Sequence, residues 1–154
     1  MSGNFEAVWS RVTGQTAAQQ PTECRVQELL VFLRESVAAA AAYRHMIGKT
    51  GNAAARSVLQ RCLAEELQLQ RRLYSARYRL TGDGGPVPRT AEMPKHLSLS
   101  DALRERCLRE SASAQAYGAA ARCASGSLSK LYKELAKVEA EHAARLERLL
   151  DFLF

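Results

Sequence analysis

The sequence predicts an all-α fold: four long helices arranged as two antiparallel hairpins joined by one long connection. Three observations predict it. The 154 residues are 47% apolar but only 6% aromatic, with alanine and leucine dominant and β-branched residues scarce. That composition favours helix over a β sandwich or barrel. Apolar residues recur with a 3.6-residue period in four stretches. The gaps after the first and third stretches are short, whereas the middle gap, from Thr81 to near Leu99, carries several glycines and prolines and is far longer than an ordinary bundle loop. The length suits one domain.

Residues 1–20 read as a polar tail. Phe5, Val8, Trp9 and Val12 have the spacing of a short amphipathic helix, which would dock on the body or on a second subunit. The bundle occupies residues 21–154. Its first helix is expected over 22–47, with Leu29, Leu30, Leu33, Val37 and Ile47 on its apolar side and the alanine run 38–42 admitting a neighbour closely. Gly48 to Gly51 stop it, and Asn52 caps the second helix, 52–80, whose stripe is Val58, Leu59, Cys62, Leu63, Glu66, Leu69 and Leu73. The third helix starts with Ser98 or Ser100 as cap and reaches Cys123, with Leu103, Cys107, Glu110, Ala114, Tyr117 and Ala121 in line. Ser125-Gly126-Ser127 separates it from a fourth helix that runs to the C-terminus. A connection of that length can travel the length of the bundle, so that the third helix starts at the same end as the second. One such crossover distinguishes the ferritin-like topology from an up-down-up-down bundle.

Composition and spacing also narrow the function classes. The formal charge of +6 is modest, and basic residues alternate with acidic ones. No nucleic-acid-binding motif accompanies them, although Arg71, Arg72, Arg77 and Arg79 make the second helix locally basic. There is no secretory segment and no run long enough to cross a membrane, so a cytoplasmic protein is expected. Cys24, Cys62, Cys107 and Cys123 match no zinc or iron–sulfur spacing. Cys62 and Cys107 read as small buried thiols.

The chemistry centres on Glu139 and His142. Three residues apart on a helix, they share a face beside the stripe Leu131, Leu135, Val138, Leu146, Leu149 and Leu153. A carboxylate and an imidazole so placed are half of a transition-metal site. A carboxylate facing a core is costly unless it is paired or ligated. Glu66 and Glu110 fall inside apolar series in the same way. The halves of the chain also look like copies. Leu33-Arg34-Glu35-Ser36, an alanine-rich run and Tyr43 echo Leu108-Arg109-Glu110-Ser111, a similar run and Tyr117. A tandem hairpin would bring matching carboxylates together at the centre of a pseudo-twofold bundle.

These residues resemble the ferritin-like superfamily, and within it the rubrerythrin-like diiron carboxylate proteins. In that family the first and third helices each give a Glu with a Tyr seven residues later, and the second and fourth each give Glu-x-x-His. The resemblance covers about residues 25–152. Glu110 with Tyr117 fits, and so does Glu139 with His142. On the second helix Glu66 is present, but Leu69 stands where the histidine would be. On the first helix the residue seven before Tyr43 is Ser36, and Glu35 is eight before. Either a π-bulge in the alanine run brings Glu35 into the site, or Glu35 is a surface residue and Ser36 marks a lost ligand.

The resemblance therefore implies a metal set of Glu35, Glu66, Glu110, Glu139 and His142, with Tyr43 and Tyr117 bordering it. It implies Fe or Mn, with Zn also compatible, and one ion rather than two. The expected function is a small metal-binding protein with a reduced diiron-type site. Weak oxidase or peroxidase activity would follow if Glu35 ligates. No Cys-x-x-Cys pairs follow the bundle, so a redox cycle would need an external reductant. The alternative is a bundle that has lost metal and acts as a scaffold or interaction module. Its retained carboxylates would then be neutralised by raised pKa values or nearby arginines. A homodimer is expected, with neither nucleic acid nor membrane as partner. His45 and His96 are not expected in the site.

Overall fold

In the computed structural model, which describes residues 19–83, 85, 86, 88, 89 and 97–154, the first hairpin consists of α1 (Gln19–Lys49) and α2 (Ala53–Thr81). The second consists of α3 (Leu99–Cys123) and α4 (Gly126–Leu153). The expected termini hold to within a few residues. α1 begins slightly earlier than expected, with Pro21 in its first turn, where no intrahelical N–H is required. The Asn52 side chain accepts from the Ala55 amide at 2.9 Å and caps α2. Ser98 rather than Ser100 caps α3: its Oγ accepts from the Asp101 amide at 3.1 Å and donates to the Asp101 carboxylate at 2.8 Å. α2 ends at Gly82, whose φ of 69° is the left-handed conformation that closes the last turn without a Cβ penalty.

Each helix touches two neighbours. α1 packs on α2 and α3, and α4 packs on α3 and α2, while α1–α4 and α2–α3 are the diagonals. Side-chain pairs fix the directions. Ala42, late in α1, lies by Ala102, early in α3, and Val31 and Phe32 lie by Ala112 and Ala116. Arg72 of α2 pairs with Glu134 of α4, and Glu65 pairs with Arg145. Both neighbouring pairs are therefore antiparallel, so α2 and α3 are parallel and start at the same end. The connection between them has to return along α2, a 29-residue helix about 43 Å long. The residues between Thr81 and Leu99 can span that distance at about 3.3 Å each. The described part of the connection already turns back. Tyr74 Oη donates to the Gly85 carbonyl at 3.3 Å, and Gly85 (φ 59°) lies so close to Arg77 that a Cβ would sit 2.5 Å from its guanidinium. At the far end the His45 Nε2–H donates to the Leu97 carbonyl at 3.1 Å, tying α1 to the start of α3. This is a four-helix bundle of two antiparallel hairpins whose second and third helices run parallel. No described helix is long and apolar enough to cross a membrane. Residues 1–18 of the expected tail and His96 lie outside the described residues, and residues 19 and 20 belong to α1.

The core is split into two apolar layers. One contains Leu29, Phe32, Leu33, Leu69, Leu73, Tyr117, Tyr132 and Leu135. The other contains Tyr43, Met46, Leu59, Cys62, Leu103, Leu146 and Leu149. Along each helix the buried residues between these layers are polar: Ser36 on α1, Glu66 on α2, Arg106 and Glu110 on α3, Glu139 and His142 on α4. Cys62 is buried and Cys107 only half-buried.

The internal repeat is real in outline but one residue out of register. Leu33 is fully buried, whereas Leu108, its counterpart by identity, is 74% exposed. One residue is about 100° around a helix. The tyrosines set the true correspondence, which pairs Ser36 with Glu110 and Tyr43 with Tyr117. Leu33→Ala is expected to cost about 2–5 kcal/mol and Leu108→Ala to stay within about 0.5 kcal/mol. Urea denaturation of the two variants distinguishes the registers.

Candidate metal centre

Glu66, Glu110, Glu139 and His142 meet in the polar layer, where one ligand atom from each lies within 4.8 Å of the other three. All four are buried. The helical period explains the convergence. Glu66 follows Cys62 and precedes Leu69 on the inner face of α2, Glu110 lies seven before Tyr117 on α3, and Glu139 and His142 lie one turn apart on α4.

Each of the four has one oxygen or nitrogen left over. Glu66 Oε2, Glu110 Oε2, Glu139 Oε2 and His142 Nδ1 are buried without a hydrogen-bond partner. His142 Nδ1 stands 3.5 Å from Glu139 Oε2 and 3.7 Å from Glu66 Oε2. Buried polar atoms almost always have partners, and these orphans on four converging residues form a cluster capable of chelating a cation. Three carboxylate oxygens and one imidazole nitrogen fit Fe(II), Mn(II) or Zn(II) alike.

Three of these groups are also held from outside the cluster. Ser36 Oγ donates to Glu66 Oε1, and Tyr43 Oη donates to Glu110 Oε1 at 2.7 Å. His142 Nε2 lies 3.0 Å from Glu65 Oε2. Against the desolvation of partial burial, hydrogen bonds from Arg145, Arg61 and His142 keep the Glu65 carboxyl down at about 2. Glu65 is thus an acceptor, the Nε2 proton goes to it, and the Nδ1 lone pair is left facing the cluster. A carboxylate behind a histidine fixes its tautomer in this way at metal centres.

Without an ion the carboxylates are under electrostatic pressure. Burial, and then the neighbouring Glu139 and Glu110, raise Glu66 well above the usual range. Burial and Glu110 push Glu139 up to about 10. Tyr43, buried and beside Glu110, and Tyr117, buried near Glu139 and Glu66, are held in their neutral forms. Tyr117 stacks on Phe32, with ring centroids 4.1 Å apart, in the apolar layer next to the cluster.

Glu35 is not among the converging residues. α1 is α-helical from end to end, without the π-bulge that would have turned Glu35 inward. Ser36 takes the inner position. Glu35 is 39% exposed and pairs with Arg109 at 3.1 Å and with Arg106 at 3.9 Å. Leu69, at the place of a second histidine, is packed in an apolar layer.

Three functional neighbours escape a reading for metal ligands. Glu65 and Arg145 act through contacts between helices, which no local pattern shows. Arg106 did leave a signal: it falls on the stripe Leu103, Arg106, Glu110, Tyr117, at helical spacing. Its side chain is only 3% exposed, and Nε lies 3.1 Å from Glu110 Oε1. The small residues Ala38, Ala42 and Ala102 line the cleft of about 150 Å³ beside it.

No family model, no curated protein and no solved structure matches the chain.

Proposed function

We propose that the protein binds one divalent transition-metal ion at Glu66, Glu110, Glu139 and His142, as a reduced form of a diiron-type centre. The observation that carries this reading is the convergence of four orphaned, buried ligand atoms. Bound there, Fe or Mn would supply one-electron redox chemistry, whereas Zn would supply Lewis acidity alone. The surrounding residues have distinct roles. Glu65 holds the His142 tautomer, Ser36 and Tyr43 orient Glu66 and Glu110, and the two apolar layers keep the centre dry. Weak oxidase or peroxidase activity with an external reductant is the reaction class we assign to an iron- or manganese-loaded form.

Anaerobic equilibrium dialysis against Mn(II), Fe(II) and Zn(II) tests the reading. One ion per chain is the expected result. Glu65→Gln is expected to keep that stoichiometry and lose about 10–100-fold in affinity, the usual effect of removing such an outer partner. Binding at background level for all three metals would sink the proposal.

A second reading has its own support. Arg106 buried against Glu110 neutralises one carboxylate without any ion, and the raised pKa values of Glu66 and Glu139 let protons neutralise the others. A metal-free scaffold is therefore physically self-consistent, and it predicts the background result.

A further inference from the structure

We infer that Arg106 is the second cation of the centre, supplying from within the chain the positive charge that a second metal ion would bring and so limiting the site to one divalent ion. The inference rests on the metal-binding reading above and adds to it what sets stoichiometry and affinity.

Position comes first. Arg106 and Glu110 are one helical turn apart on α3, and both are buried at the level of the cluster. The guanidinium is in contact with Glu110 Oε1, while Glu110 Oε2 is the orphaned atom. One carboxylate thus has a fixed cation on one oxygen and a vacant ligand position on the other. Arg106 also reaches toward Glu35, with Nη2 3.9 Å from Glu35 Oε2. It therefore bridges the cluster and Glu35, the expected ligand that stays outside it. The room for so large a side chain comes from Ala38, Ala42 and Ala102 on the facing surfaces of α1 and α3.

Charge comes second. Glu66, Glu110 and Glu139 carry three negative charges when ionised. One divalent ion and one guanidinium carry three positive charges, so the loaded centre is neutral. A second divalent ion would leave it strongly positive in a buried layer, where uncompensated charge is costly. The guanidinium is the cation of choice for a buried carboxylate pair. It also competes with the incoming ion for the same carboxylates.

The sign of one effect separates this role from a merely structural one. If Arg106 acts as a competing cation, removing its charge tightens metal binding. If it only holds Glu110 in place, removing it weakens binding. Mn(II) titration is therefore made on the parent, Arg106→Gln and Arg106→Lys, with circular dichroism to check folding. The parent is expected to saturate at one ion in excess Mn(II), and Arg106→Gln to bind the first ion at least about tenfold more tightly, as follows from removing a like charge one carboxylate away. Arg106→Lys, which restores the charge, is expected to stay within about threefold of the parent.

Unchanged or weaker binding by Arg106→Gln in a parent that binds one ion would overturn the inference and leave the metal reading standing. Two ions in the parent would also overturn it, a result that needs no variant to fold. A parent that binds nothing defeats the metal reading. In that case, binding gained by Arg106→Gln would still support the guanidinium as the ion's replacement, and no gain would overturn that too.

Discussion

Replacing His142 with alanine is expected to lower the affinity for a divalent ion by more than about a hundredfold while leaving the bundle folded. The scale follows from the outer partners, whose loss alone costs about 10–100-fold at metal centres. His142 contributes the only nitrogen among the four converging atoms, and its Nδ1 faces Glu66 and Glu139. The ring is held by Glu65 on one side and meets Tyr43 edge-on, with centroids 5.8 Å apart. Folding should survive because Glu65 keeps Arg145 and Arg61 as partners, and the layers on either side do not depend on the imidazole. Isothermal titration with Mn(II) and Zn(II), with melting curves on the same samples, checks both parts. A variant that binds as the parent does would move the ion elsewhere.

The second large effect concerns pH. In the metal-free protein Glu66 and Glu139 have folded-state pKa values raised above their unfolded ones, Glu139 to about 10, chiefly by burial, then by Glu139 and Glu110 for Glu66 and by Glu110 for Glu139. A raised carboxyl binds a proton more tightly when folded. Its penalty is absent below the unfolded value of 4.5 and grows as pH rises toward the folded value. The metal-free form is therefore expected to lose stability between about pH 5 and 9, by on the order of 1 kcal/mol per pH unit for Glu139, with Glu66 acting in the same direction. In a chain of this length, 1 kcal/mol is about 2–4 °C in melting temperature. Glu65 has the opposite sign: its depressed pKa adds stability above 4.5 that is lost as pH falls toward about 2, outside that window. A bound ion takes the place of the protons on Glu66 and Glu139. The metal-loaded form should then lose this downward slope, and apparent affinity should rise with pH as about two protons are displaced. Melting curves in chelator and in saturating Mn(II) across the window test this directly. Parallel slopes in both would contradict it.

Much of this arrangement was legible in the sequence, and particular residues explain both the successes and the misses. The helices were visible because their apolar period is strong and their ends carry chemical marks, Asn52, Ser98 and Gly82 among them. The crossover was visible as length alone. Glu66 and Glu110 stood out because each interrupts an apolar stripe, Glu139 and His142 because they lie one turn apart beside one, and the structure brings those four together. Glu35 illustrates the limit. Identity across the repeat favoured it, spacing from Tyr43 favoured Ser36, and the buried positions follow the spacing, because a helix turns about 100° per residue whatever the sequence match suggests. Arg106 lay on a core stripe, but an arginine there reads as an exception until its partner is seen at 3.1 Å. Glu65 and Arg145 were beyond reach, since Glu65 meets His142 and Arg145 only after α2 and α4 pack.

The most direct test of the central claim is crystallographic: crystals of the protein soaked in Mn(II) or Zn(II), with anomalous diffraction recorded at the metal edge. The predicted result is one strong anomalous peak per chain, bounded by Glu66, Glu110, Glu139 and the Nδ1 of His142, with the Arg106 guanidinium still against Glu110. An empty polar layer, or metal only at surface carboxylates such as Glu35 and Glu105, would contradict the account.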